Sequence, residues 1–80
     1  NNMDVHLEPF VDLFSRRYRL QAVVSHLGTT SSSGHYVCFA LQTDGSWFQF
    51  NDTMVTSLSQ QDCFRMVLQT AYLFWYQVVE

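Results

Sequence analysis

Tyr36-Val37-Cys38-Phe39-Ala40-Leu41-Gln42-Thr43-Asp44-Gly45-Ser46-Trp47-Phe48-Gln49-Phe50-Asn51 reads as an apolar run, a polar break and a second apolar run. Asp-Gly in such a break is a strong local signal for a β-hairpin, because glycine enters the positive-φ conformations that tight turns need. Ser33-Gly34-His35 leads into the first run, and Asn51-Asp52 closes the second. Closing the hairpin brings a histidine towards an amide and a carboxylate. Such a pair supplies two members of a hydrolytic triad, and the third, a nucleophile, has to come from elsewhere.

Two loop geometries are open, and they place the pair differently. With Asp44-Gly45 as a two-residue turn, Asn51 opposes Cys38 and points away from the face that carries His35. With Thr43-Asp44-Gly45 as a three-residue loop and Gly45 left-handed, Asn51 opposes Val37, which shares a face with His35. Asn51 is then a diagonal neighbour of His35, roughly 7–8 Å away between backbones and within side-chain reach. Asp52 faces the other way unless the strand has already ended.

In the second geometry the Asn51 amide oxygen accepts the His35 ring N–H, fixes the tautomer and leaves the other ring nitrogen as a general base. A thiol activated by that ring would attack an acyl or isopeptide carbon. Neither cysteine of the chain suits that role. Cys38 lies on the strand face opposite His35, Cys63 falls in an expected packing helix, and free cysteines usually behave as small buried hydrophobes.

Outward from the hairpin, Pro9 forbids a regular helix interior or central strand near the start, so residues 1 to 15 read as an extended entry followed by a helical turn around Phe10 to Phe14. Tyr18 to His26 alternates as a strand, with Tyr18, Leu20, Ala22, Val24 and His26 on its apolar face. Leu27 to Gly34, with its Gly, Thr and Ser residues, reads as a loop. After the hairpin, Val55 to Leu58 is a short strand. Ser59 then caps a helix over Gln60 to Val67, with Asp62 in the first turn and Cys63 and Val67 on the packed side. Tyr72 to Val79 is nearly all apolar and is expected to be a central strand.

Composition bounds what this set of elements can be. Eighty residues make one small domain at most, and a chain of that length buries only roughly 60–65% of its unfolded surface. Yet 48% of the residues are hydrophobic and 14% charged, against about 25% charged in an ordinary domain. The sequence therefore reads as the inside of something larger. A net charge of −3, with four Arg and no Lys, argues against a nucleic-acid surface, which needs clustered cations to displace counterions. Arg16, Arg17 and Arg19 cluster, but beside Tyr18 they read as a solvated strand end. Two cysteines match no zinc spacing, so no metal and no cofactor is expected. No apolar run is long enough to cross a membrane, and an intracellular location, cytoplasm or nucleus, is the default expectation.

Taken together, these residues resemble the ubiquitin-specific protease family, papain-like cysteine deubiquitinases, over about residues 9 to 78. Tyr18-Arg19-Leu20-Gln21-Ala22-Val23-Val24-Ser25-His26-Leu27-Gly28 is similar to the strand that precedes the family's histidine box, and Ser33-Gly34-His35-Tyr36 to the box itself. Trp47-Phe48-Gln49-Phe50-Asn51-Asp52 is similar to the aromatic motif that follows, and Ala71-Tyr72-Leu73-Phe74-Trp75-Tyr76 to the closing strand. The resemblance implies an α+β fold, mostly antiparallel sheet with one short helix, forming part of the palm of a papain-like domain. It implies hydrolysis of the bond after the ubiquitin C-terminal Gly-Gly, with His35 as base and then acid, Asn51 as orienter and Asp52 as an auxiliary polar group. Thr29 to Ser33 would border the ubiquitin tail, and Gly34 and Tyr36 would line its narrow channel. The implied partners are ubiquitin and ubiquitinated proteins, together with an N-terminal remainder of the catalytic domain.

Two departures from the family pattern bear on activity. The family's nucleophile box and its four-cysteine zinc pattern normally precede the histidine box, and neither occurs in these residues. Residues 1–80 are thus expected to be a C-terminal piece of a catalytic domain, inactive alone. A non-catalytic ubiquitin-binding or scaffold protein that kept the palm is the alternative.

Overall fold

The computed structural model describes residues 7–30 and 33–79. Its elements are β1 (Phe10–Leu13), β2 (Arg16–Thr30), β3 (Ser33–Leu41), β4 (Trp47–Asn51), β5 (Met54–Leu58), α1 (Gln60–Val67) and β6 (Ala71–Val78). All pairings are antiparallel, and the strands form one six-stranded sheet. The α+β class expected from the sequence is the class observed.

β2 is the spine. Its first residues pair with β1 and its later ones with β3, while β6 pairs across Tyr18 to Ser25 and so occupies the opposite edge. The expected alternation along this strand fails at one point. Leu20, Val23 and Ser25 are the fully buried residues, because an irregularity between Leu20 and Ala22 in the pairing with β6 shifts the inward face from even to odd positions. A bulge of this kind inserts an unpaired residue and so inverts the period-2 pattern beyond it. His26 and Ala22 consequently face away from the core.

Three other expectations are corrected. The segment Phe10 to Leu13 is a strand, not a helical turn, because its backbone groups find partners on Arg16 to Arg19 that local propensity cannot reveal. The expected loop from Leu27 to Gly34 is largely strand: β2 runs to Thr30 and β3 starts at Ser33, with a register shift between Leu27 and Thr30. β6 is not central either, since among the described residues it pairs only with β2. Its apolar composition meets no cover on that side: Tyr72, Leu73, Phe74 and Trp75 are all exposed.

The core lies on one face of the sheet. Leu20, Val23, Val37, Phe39 and Trp47 meet Cys63 and Val67 of α1, and the Trp47 and Phe64 rings pack edge to face at 5.8 Å. Ser59 caps the helix as expected, its hydroxyl accepting from the Asp62 amide. On the other face an apolar hollow lined by Ala22, Val24, Leu73, Phe74 and Trp75 lies open.

The β3–β4 turn takes the three-residue form. Gly45 stands at φ +90°, the Gln42 amide donates to the Ser46 carbonyl, and the Gly45 amide donates to the Gln42 carbonyl. The Ser46 hydroxyl and amide both donate to Asp44 Oδ1, at 2.6 and 2.9 Å, holding that carboxyl below its usual pKa. A Cβ on Gly45 would meet nothing within 4 Å, so a side chain there is opposed by backbone strain alone. Gly45→Ala is expected to lower unfolding stability by about 1–2 kcal/mol, and Gly45→Asn by less, since Asn tolerates the left-handed region. Equal denaturant midpoints for wild type and Gly45→Ala would contradict the turn assignment.

Candidate active site

The register that follows from this turn pairs Cys38 with Phe50, Phe39 with Gln49, Ala40 with Phe48 and Leu41 with Trp47. One step beyond Cys38–Phe50, Asn51 stands opposite Val37. Asn51 therefore shares a face with His35, and the two side chains meet: His35 Nε2 lies 2.5 Å from Asn51 Oδ1. A carboxamide oxygen can only accept, so the ring donates from Nε2 and its Nδ1 is left as the basic nitrogen. Both side chains are half-buried. A neutral orienter holds the ring without adding a charge to the site.

The backbone around His35 serves the same end. Gly34 sits at φ +124°, a conformation that a side chain strongly disfavours. It lies across from the register shift in β2, just before the Leu27–His35 pair. Bulges are common beside sites, and this irregularity begins immediately past the Leu27–His35 pair.

The structure treats the remaining sequence candidates unequally. Asp52 has left the strand: it stands at φ +56° in the turn before Met54, exposed, and among the described residues no hydrogen bond joins it to His35. Tyr36 is on the reverse side of β3 from His35, its ring 4.7 Å from that of His26 and 6.0 Å from that of Tyr72. Ser33 pairs with Thr30 at the turn end of the β2–β3 hairpin. Gly34 is exposed at the same end. Of the expected loop, residues 31–32 lie outside the described residues.

Sequence reasoning missed the His26–Tyr36–Tyr72 cluster behind the site and Leu27 as the cross-strand partner of His35. A continuous β2–β3 ladder would have revealed both. The signal for it was the β-branched Thr29-Thr30 pair, outweighed by the neighbouring Gly and Ser residues.

Cys63 is fully buried against the core, and burial pushes its thiol up to about 12. Cys38 pairs with Phe50 on the face turned away from His35. Neither supplies a thiolate to the ring. Among the described residues, no group of three His, Cys, Asp or Glu side chains could hold a metal ion. No helix in the described residues is long and apolar enough to cross a membrane.

The family model described as ubiquitin carboxyl-terminal hydrolase matches residues 3–76. Ubiquitin carboxyl-terminal hydrolase 8 of Saccharomyces cerevisiae is 43% identical over 61 residues, which are 76% of this chain and 12% of that protein. Ubiquitin carboxyl-terminal hydrolase 32 of Drosophila melanogaster is 42% identical over 71 residues, 89% of this chain and 4% of that protein. A solved structure of the SAGA DUB module has a TM-score of 0.79 at 32% identity, covering 92% of this chain and 18% of the matched one. A further structure of that module, bound to monoubiquitin, has a TM-score of 0.78 at 32% identity and covers 91% and 17% of the respective chains. The chain thus spans a small part of each of these relatives.

Two outcomes test the geometry. Imidazole ¹⁵N shifts should show His35 protonated at Nε2, and in Asn51→Ala the ring should become a tautomer mixture; an Nδ1–H ring in the wild type would contradict the pairing. At pH 8 a thiol pKa of about 12 instead of the ordinary 9.0 leaves about a thousandfold less thiolate. Alkylation at Cys63 should therefore proceed only on unfolding.

Proposed function

The chain belongs to the ubiquitin carboxyl-terminal hydrolase family, and on that premise we propose that it is the histidine-bearing part of a thiol-dependent deubiquitinase. In this reading the whole protein hydrolyses the peptide or isopeptide bond after the ubiquitin C-terminal Gly-Gly. The observation that carries it is the hydrogen bond from His35 Nε2 to Asn51 Oδ1. It leaves Nδ1 to take a proton from a thiol and to return it to the leaving amine.

The thiol itself belongs to polypeptide outside these 80 residues. Cys63 is buried and protonated, and Cys38 faces away, so the chain alone is an incomplete site and is inactive. The bare sheet face around Leu73 and Trp75 supports the same reading, because apolar strand residues are normally covered. The remainder of the catalytic domain is the natural cover.

Gly34 and Ser33, at the turn end of the β2–β3 hairpin, stand where an extended substrate tail would approach His35. Tyr36 contributes to that wall from behind, through its contacts with His26 and Tyr72. Ubiquitin and ubiquitinated proteins are the partners this reading requires, and the solved relative bound to monoubiquitin supports it. Asp52 serves as an auxiliary polar group near the orienter, subordinate to Asn51.

The test is made in the full-length protein. A ubiquitin derivative carrying a C-terminal electrophile should label it at an upstream cysteine and leave residues 1–80 alone unlabelled; failure to label the full-length protein would favour a non-catalytic scaffold. His35→Ala should reduce turnover of a ubiquitin C-terminal amide by about 10²–10⁴-fold. Asn51→Ala should cost more than Asp52→Ala, and the reverse order would transfer the orienting role to Asp52.

A further inference from the structure

The β1–β2 hairpin reverses at Phe14-Ser15, between the paired residues Leu13 and Arg16. Both turn residues have positive φ, 53° and 64°. Two-residue turns of this geometry ordinarily take Asn-Gly or Asp-Gly, and a phenylalanine there is a steric outlier. No packing among the described residues offsets the strain, since Phe14 is 94% exposed and Leu13 beside it 54%. Strain of this kind persists where the surroundings or a function require it.

The hairpin is also the basic part of an acidic chain. Three of the four arginines, Arg16, Arg17 and Arg19, stand on it, while the net charge is −3. Arg17 pairs with Asp12 at 3.0 Å, and both Arg17 and Arg19 lie over the Phe10 ring, at 5.3 and 5.4 Å. Arg16 thus adjoins the exposed Phe14-Ser15 turn, and Arg17 and Arg19 extend the basic surface along the hairpin towards Phe10. Arg and aromatic side chains are the groups that dominate protein–protein hot spots.

We propose that this tip is a docking element, inserting Phe14 into an apolar recess of an acidic segment on a partner protein. Guanidinium forks match carboxylates in pairs, which favours acidic side chains along the segment that receives Phe14. An anionic membrane is the weaker fit. Each basic residue contributes only about 1 kcal/mol at such a surface, the Asp12 carboxylate sits among them, and one aromatic ring is a small anchor where stable attachment takes two signals. The inference is independent of the chemistry at His35.

The test uses the full-length protein and a fluorescein-labelled peptide of about twelve residues alternating Asp and Leu, with a Ser-Leu peptide as control. Saturable binding of the acidic peptide is expected, at least about tenfold tighter than the control. The double substitution Phe14→Asn, Ser15→Gly should weaken that binding by at least about tenfold while raising the thermal midpoint, because it supplies the residues the turn prefers. Arg16→Glu should weaken the acidic peptide as well. The proposal is overturned if the acidic peptide does not bind, if the double variant binds it as the wild type does, or if vesicles with about 30% phosphatidylserine are bound in its place. A fall in the thermal midpoint of the double variant would also overturn it, since Phe14 would then be packed within its own protein.

Discussion

The left-handed Gly45 sets the relation between β3 and β4, and the candidate site exists only in the register it permits. Strand side chains alternate faces, so a slip of one residue would carry Asn51 to the side of Cys38 and leave His35 without a partner. The bond from His35 Nε2 to Asn51 Oδ1 is thus a long-range consequence of a turn at the far end of the hairpin. The Asp44 carboxylate, held by Ser46, reinforces that turn. At the near end, Gly34 and the irregularity in β2 directly flank His35.

The same sheet is finished on one face and open on the other. α1 closes the inner face through Cys63, Val67 and Phe64, whereas on the other face Leu73 and Trp75 of β6 stand exposed. An isolated apolar surface of that kind is costly in water, and protein interiors normally cover it. Among the described residues the His35–Asn51 pair meets no cysteine and the outer sheet face meets no cover. Family membership, established over residues 3–76, gives both features a common setting.

Several elements were legible because their determinants are local. Ser59 caps a helix whose bounds, Gln60–Val67, follow from its own side chains, and Asp44-Gly45 announces a turn in any context. Trp47 to Asn51 is a strand by composition. β1 was not legible, since Phe10 to Leu13 acquires its conformation from Arg16 to Arg19. The inward face of β2 was hidden for a similar reason: the irregularity after Leu20 belongs to its pairing with β6, and a single strand's alternation carries no trace of it. The edge position of β6 likewise depends on which strands are present beside it.

By itself the sequence determined the helix and its cap, the hairpin, and the pair of residue types able to orient and activate a nucleophile. Those follow from periodicity, capping chemistry and glycine's access to positive φ, all of which act within a few residues. Tertiary structure alone decided between two registers, put Asn51 and not Asp52 on the His35 ring, turned Cys38 away and buried Cys63. The physical reason is that facing across a sheet depends on hydrogen-bond pairing between distant segments, where one bulged residue exchanges inside for outside.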